Sequence, residues 1–491
     1  KLALFDQQLL LGRLVSAIIG ALTVIPVFLL ARNLYGLTAG FVAGLAIAVA
    51  PMHVLNSHYL KEEVYLAFFV SLSTLFFVKW IARRKRSPLN LWFFLSAISA
   101  AAAMASKYIG VVAVLTLLAV LMVYTRGWKE RLRLMTLAVA LSFLTFLVLC
   151  PQLFLNFANF MRDFSYEASH GATGADRETL YFWQSHDYGL FYLREGILWG
   201  IGWPIALTAV LSVALFFARK SSHRSILLVV AIAVTWYLIA ELTPAKRGVG
   251  RDRYVLSVLP MLAVLAGGFI HYVRRLTIPG ARWWTIIFGI GLVIPSSWLT
   301  YDLITEMTPD TRERAQKFFE TYYSEDDFRI INFGGYDPIF HPMARVSDRS
   351  PRTSTWEGTL QRMNEARFVA TSSFALDRYE KYPEDSQDVL EQIGEIRAQF
   401  PYVARFQKEP RVSREFHNPT IEIRSKKSRE NYLYEGPDAA LKTQSEADQI
   451  KWKAAAKKKT FEALKKEQKE LMKSQQDGKT PVKKRAGYDE D

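Results

Sequence analysis

The chain has 491 residues, 51% of them hydrophobic, with a formal net charge of +15 and a single cysteine. Cys150 sits alone in an apolar run, which excludes a disulfide framework and a cysteine metal site. The basic excess lies in short loops flanking apolar runs and in the far C-terminal tail, so it carries no nucleic-acid signal.

Ten apolar runs are predicted as spanning helices: Leu14 to Ala31, Leu37 to Leu55, Val64 to Val78, Pro88 to Ser106, Tyr108 to Thr125, Leu134 to Cys150, Gly196 to Ala218, Ser225 to Ala240, Tyr254 to Val273 and Trp283 to Tyr301. Most approach the roughly 20 residues that a bilayer requires. Basic clusters fall between them at Lys79 to Arg86, Arg126 to Arg133, Arg219 to Arg224 and Arg274 to Arg282. With alternating spans all four lie on one side, which the positive-inside bias makes cytoplasmic. Asn56 to Glu63, Lys107, the loops Pro151 to Glu195 and Glu241 to Arg253, and everything after Tyr301 are then expected on the extracytoplasmic face of a multi-pass membrane protein. That count also puts Lys1 outside, and with no initiator Met or signal pattern, an upstream helix is expected.

Charges interrupt the apolar sequence at a few places. Asn56-Ser-His-Tyr-Leu-Lys-Glu-Glu-Val64 packs His58, Glu62 and Glu63 between two runs, and Ser106-Lys107-Tyr108 breaks what is otherwise a continuous apolar stretch. Ionisable groups at membrane depth are costly and are functional candidates by default; a solvated turn and a snorkelling lysine are the plain alternatives. The translocated loop Thr243 to Tyr254 carries Lys246, Arg247, Arg251 and Arg253, with Gly248 and Gly250 allowing backbone N–H groups to face an anion. Contact with anionic headgroups alone would explain the same cations. The loop Pro151 to Glu195 mixes aromatics with His170 and Asp176, and its amphipathic start, Phe157 to Tyr166, suits a short interfacial helix.

Residues 302–424 read as a small extracytoplasmic α/β domain after a membrane domain at 1–301. Strands are predicted at Phe328 to Phe333, Arg367 to Ala370 and Thr420 to Ile423, and a helix at Asp388 to Phe400. Residues 425–491 form a charged tail, partly helical or disordered.

The outward groups gather acids, a histidine, a lysine and a basic loop beside the membrane. Such a set suits a phosphorylated lipid donor: cations hold the lipid phosphate, and a carboxylate serves as general base or holds a divalent metal.

Several motifs extend this reading. Leu11-Gly-Arg-Leu-Val-Ser-Ala17, Leu29-Leu-Ala-Arg-Asn-Leu-Tyr-Gly36, Ser57-His58 through Glu63, Ala105-Ser-Lys-Tyr-Ile-Gly110, Arg162-Asp163 through His170-Gly171, and Arg253-Tyr-Val-Leu256 with Pro260 resemble the dolichyl-phosphate-mannose protein mannosyltransferase-like family. These are C-type-fold glycosyltransferases that use polyprenyl-phosphate sugars, aminoarabinose transferases included. The soluble part, with Asn418-Pro-Thr-Ile-Glu-Ile423, is similar to the small outer domain of some bacterial members. The resemblance implies that Glu63 occupies the second-loop acidic position, that Lys107 is the phosphate-side lysine, and that Arg253 and Tyr254 open a later span. It places the catalytic Asp in the first outer loop, upstream of Lys1, since Asp6 is the only acid before Arg13.

The expected function is transfer of a sugar, with inversion, from a polyprenyl-phosphate carrier to a protein, lipid or polysaccharide hydroxyl. Glu62 and Glu63 are the candidate catalytic carboxylates, Glu63 also a candidate ligand for a divalent metal. His58, Lys107, Tyr108, His170, Arg251, Arg253 and Tyr254 are the candidate substrate-binding residues. Membrane lipids are expected partners. A lipid or sugar-lipid flippase and an inactive membrane scaffold are the alternatives; a flippase calls for ionisable groups near the midplane rather than at one face.

Overall fold

A computed structural model describes residues 2–173, 190–218, 225–242, 252–276, 279–307, 310–323, 329–333, 345–346, 364, 366–373, 376, 387–407 and 419–426. The predicted helical part of the tail, Glu446 to Ser474, lies outside the described residues. The chain divides into two compact units, the first holding Lys1–Asp310 and the second beginning at Thr311.

The first unit is helical. It runs through α1 (Leu2–Tyr35), α2 (Leu37–Ala48), α3 (Pro51–Ser57), α4 (Glu62–Arg83), α5 (Leu91–Ser106), α6 (Val111–Tyr124), α7 (Trp128–Leu149), α8 (Gln152–Leu155) and α9 (Phe157–Thr173). Further helices cover Tyr192–Gly200, Trp203–Ala218, Ser225–Leu242, Leu259–Arg274 and Ala281–Met307. Most of the predicted apolar runs fall on one of these helices or on a bent pair; Pro88 to Ser106 and Tyr254 to Val273 begin three to five residues ahead of theirs. By length and composition, five described helices can cross a membrane, or up to seven if Leu37–Ala48 with Pro51–Ser57 and Tyr192–Gly200 with Trp203–Ala218 are each one broken span. Leu91–Ser106, Tyr108–Tyr124 and Leu259–Arg274 are shorter apolar helices, so the expected ten spans exceed what length alone defines.

With hydrocarbon outside, helix association depends on close packing rather than on expulsion of water, and small residues permit it. Helix Leu259–Arg274 is largely enclosed and packs against α2, where Ala39 and Ala43 face its Gly267. At Gly267 a Cβ would fall 2.5 Å from the Ala39 carbonyl oxygen, a contact that no side-chain rotation relieves. Outward positions such as Leu14, Val148, Val210 and Trp298 carry large exposed apolar side chains, as lipid-facing surfaces require.

The second unit holds a five-stranded mixed sheet in the order β2-β1-β3-β5-β4, with β1 (Arg329–Phe333), β2 (Arg345–Val346), β3 (Phe368–Ser372), β4 (Tyr402–Phe406) and β5 (Ile421–Ser425). β1 pairs in parallel with β2 and β3, whereas β5 pairs antiparallel with β3 and β4. Phe368, Ala370, Ala404, Phe406, Ile421 and Ile423 pack with Ala315 and Phe318 of helix Thr311–Tyr323. On the opposite face Val369 packs with Ile393, Ile396 and Phe400 of the segment that includes helix Gln387–Gln399.

The three predicted strands and the predicted helix are present within one or two residues of their expected bounds. β2 and β4 were not predicted. Both are edge strands: β2 is only two residues long, and in β4 the half-buried Arg405 interrupts buried Val403, Ala404 and Phe406. In the long loop after Pro151, the short helix expected at Phe157 to Tyr166 is present and continues to Thr173, preceded by a further turn at Gln152–Leu155.

Candidate functional site

Two carboxylates open α4. Acids in a first turn are favoured by the helix dipole, and Lys61 ahead of them is extended, which ends the preceding turn. Because successive helical residues point about 100° apart, only one of the pair can face inward: Glu63 is 2% exposed and Glu62 46% exposed.

Lys107 arrives from the far end of α5. Its extended backbone (φ −156°, ψ 136°) interrupts the helix before a single 3-10 turn, Tyr108–Gly110. Gly110 is what allows the turn to close: its N–H donates to the Lys107 carbonyl at 2.7 Å, and a Cβ there would fall 2.1 Å from the Ala103 carbonyl oxygen. Since α4 and α5 form a hairpin through residues 84–90, the end of α5 returns to the start of α4. Arg253 comes from elsewhere, the 3-10 turn Asp252–Val255 ahead of helix Leu259–Arg274.

These elements converge on one oxygen. Glu63 Oε1 accepts from Lys107 Nζ at 2.7 Å and from Arg253 Nε at 3.0 Å, while Lys107 Nζ also donates to Glu62 Oε1 at 3.0 Å. The Tyr254 ring lies beneath both cations, 4.6 Å from Lys107 Nζ and 5.2 Å from the Arg253 guanidinium carbon. A buried carboxylate without partners costs several kcal/mol, which two charge-assisted hydrogen bonds offset. Burial works against the charge on Lys107, but Glu63 and then Glu62 outweigh it and hold its pKa above the ordinary lysine value. Arg253 behaves alike, with burial opposed by Glu63 and Tyr254. Lys61 goes the other way, because burial and then Arg253 lower its pKa. Glu63 Oε2 is buried and has no hydrogen-bond partner among the described residues.

Of the predicted site residues, the fold therefore brings together Glu62, Glu63, Lys107, Arg253 and Tyr254. Tyr108 adjoins them but turns its ring to Phe164 (5.2 Å) and Phe160 (6.1 Å) of α9, both T-shaped contacts. His58 is exposed, and its Nδ1 donates at 2.7 Å to the Val54 carbonyl of its own turn. The backbone of His170 belongs to α9, with its side chain outside the described residues, and Arg251 lies outside them altogether.

Sequence reading passed over two features. Phe160 and Phe164 stack one helical turn apart against Tyr108, a spacing visible in the sequence once α9 is known to be a helix. Glu241, 3% exposed at the end of an apolar run, accepts from the Tyr192 amide at 3.1 Å and ties helix Ser225–Leu242 to Tyr192–Gly200.

Glu63 fits a divalent metal poorly. Two cations already share its Oε1, and among the described residues no three His, Cys, Asp or Glu side chains gather into a metal-ligating group.

Several apolar helices of spanning length, with a buried ionic cluster at their ends, mark a multi-pass membrane protein. The sequence model described as dolichyl-phosphate-mannose-protein mannosyltransferase matches residues 1–154, the stretch that contributes Glu62, Glu63 and Lys107. The match covers about a third of the chain, and it is to that stretch that the similarity to mannosyltransferases extends. No curated protein matches. Among solved structures, ArnT from Cupriavidus metallidurans bound to undecaprenyl phosphate is 15% identical, with a TM-score of 0.49 over 84% of this chain and 83% of that one. Its apo form gives 16% and 0.47 over the same shares. The Archaeoglobus fulgidus oligosaccharyltransferase complex with Zn and sulfate is 13% identical, with a TM-score of 0.43 over 82% of this chain and 61% of that one.

Proposed function

We propose that the protein transfers a sugar from a polyprenyl-phosphate carrier to a hydroxyl acceptor at the extracytoplasmic membrane face, with inversion at the anomeric carbon. The observation that carries this reading is the buried cluster at Glu63. Lys61, Lys107 and Arg253 set three cations against the two carboxylates Glu62 and Glu63, a net single positive charge. A sugar phosphodiester carries a single negative charge.

In the reaction the acceptor oxygen attacks the anomeric carbon as the bond from that carbon to the phosphate oxygen breaks. The acceptor proton passes to a carboxylate base, which the family resemblance assigns to the first outer loop. The leaving lipid phosphate gains a second negative charge, and Lys107 and Arg253 stabilise it where it develops. Glu63 holds both cations in place and does not take the proton, because its anion is already committed to them. Glu62, more exposed and bound to Lys107 alone, exchanges its place with the phosphate.

The test is transfer from a labelled polyprenyl-phosphate sugar by the purified protein. Loss of transfer in Lys107→Ala, with donor binding weakened in parallel, supports the assignment. Normal turnover in that variant removes the phosphate role.

A further inference from the structure

The opposite ends of the same helices carry a different kind of charge. The last residues of α4 and α6 and the first of α5 and α7 bring together Lys79, Arg83, Arg84, Lys85, Arg86, Arg126, Lys129, Arg131 and Arg133, with Glu130 as the one acid between residues 79 and 133. Some of these cations have structural work. Arg84 Nε donates to the Tyr124 carbonyl at 3.0 Å and Arg131 Nη2 to the Thr125 carbonyl at 3.1 Å, so the two loops meet over the C-terminus of α6. Lys79 Nζ lies 4.1 Å and the Arg83 guanidinium 5.3 Å from the Trp92 ring centre. Glu130 pairs with Arg133 at 3.6 Å.

Lys85, Arg86, Arg126 and Lys129 remain. All four are exposed, and among the described residues none has an acidic partner. Like charges held together without counterions repel, so this arrangement is complete only with an anion. The surroundings indicate which kind. Val123 (74% exposed), Trp128 (65%), Leu91 (63%) and Leu132 (53%) present apolar side chains on the same helix ends. A free phosphate or an acidic peptide needs the cations alone, whereas a phospholipid uses both, with its headgroup on the loops and its chains along the helices.

We propose that this end of α4 to α7 is a binding site for anionic phospholipid. It is independent of the sugar-transfer reading: α4 alone separates it from Glu63 by about 33 Å, from 22 residues at 1.5 Å each.

The experiment uses the intact protein in phosphatidylcholine micelles doped with phosphatidylglycerol, alongside K85Q/R86Q/R126Q/K129Q. Thermal melting and native mass spectrometry are read on the same samples, the second reporting retained lipid whatever the variant's stability. The parent is expected to retain phosphatidylglycerol over phosphatidylcholine and to melt higher with it, and the variant to need about tenfold more for the same occupancy. Equal retention of both lipids by the parent, or equal phosphatidylglycerol retention by parent and variant, overturns the site. Equal stabilisation by soluble glycerol phosphate or by polyglutamate overturns the lipid as its occupant.

Discussion

Each unit contains a carboxylate held between two cations, and the two differ in how the oxygens are used. In the α/β unit Glu422 is saturated: Oε1 accepts from Arg405 and Oε2 from Arg424 Nη2 at 2.8 Å and Nε at 3.1 Å. In the helical unit Lys107 and Arg253 both bind Glu63 Oε1, and Oε2 is left without a hydrogen-bond partner among the described residues. A carboxylate with both oxygens satisfied is a structural tie across adjacent strands. One with an oxygen open beside two cations, at helix ends far apart in sequence, suits the phosphate role proposed for it.

The sharpest way to break this contrast is to remove the cations from each. Lys107→Ala is expected to lower turnover with a labelled polyprenyl-phosphate sugar about 100- to 1,000-fold, the usual cost of losing one preorganised donor to a developing anion. Because Glu63 keeps only Arg253 in this variant, some loss of stability accompanies it and turnover is read per folded molecule; a loss of only a few-fold would make the Glu63 cluster a structural tie like the other. Glu422→Gln should instead leave turnover per folded molecule unchanged and destabilise the sheet by about 3 kcal/mol, because Arg424, 2% exposed, is left buried with its charge unpaired. Hydrogen exchange of β4 and β5 in the intact chain reads this directly.

The pH responses sharpen the comparison. Burial alone would raise the pKa of Glu422, but Arg424 and Arg405 outweigh it and bring it below the ordinary value of 4.5. A depressed folded pKa stabilises above the unfolded one, so protection of β4 and β5 should hold at neutral pH and fall as pH drops from 4.5 through the lower folded value. Glu422→Gln should abolish that acid step. Lys107 has the opposite sign, its folded pKa lying above 10.5. Its contribution is complete below 10.5 and lost only as pH rises through the higher folded value, so no decline of turnover between pH 7 and 9 should disappear in Lys107→Arg. The smallest effect belongs to the aromatic contact beside the site. Phe164→Ala should cost about 1 kcal/mol by removing the Tyr108 ring contact, seen as faster exchange in α9.

Much of the helical unit was legible because apolar runs of nearly spanning length have few alternatives, and because a charge such as Lys107 is conspicuous among them. The edge strands escaped because β2 is two residues long and Arg405 breaks the apolar signal of β4, and the second half of α9 was obscured by polar residues that read as loop beyond Tyr166. The site was legible as a list. Glu62, Glu63, Lys107 and Arg253 could be named from their membrane-boundary positions, but so could His58, which the fold turns to its own backbone.

The sequence by itself determined where the apolar runs lie and which ionisable groups interrupt them, since burying a run of apolar residues beside isolated charges leaves little choice. Only the tertiary structure decided that Glu63 rather than its neighbour Glu62 turns inward, and that Arg253, 190 residues away, shares its oxygen with Lys107. Neighbours in a helix differ by a rotation, and which of them faces a partner is set by the packing of other helices, information that spacing along the chain does not contain.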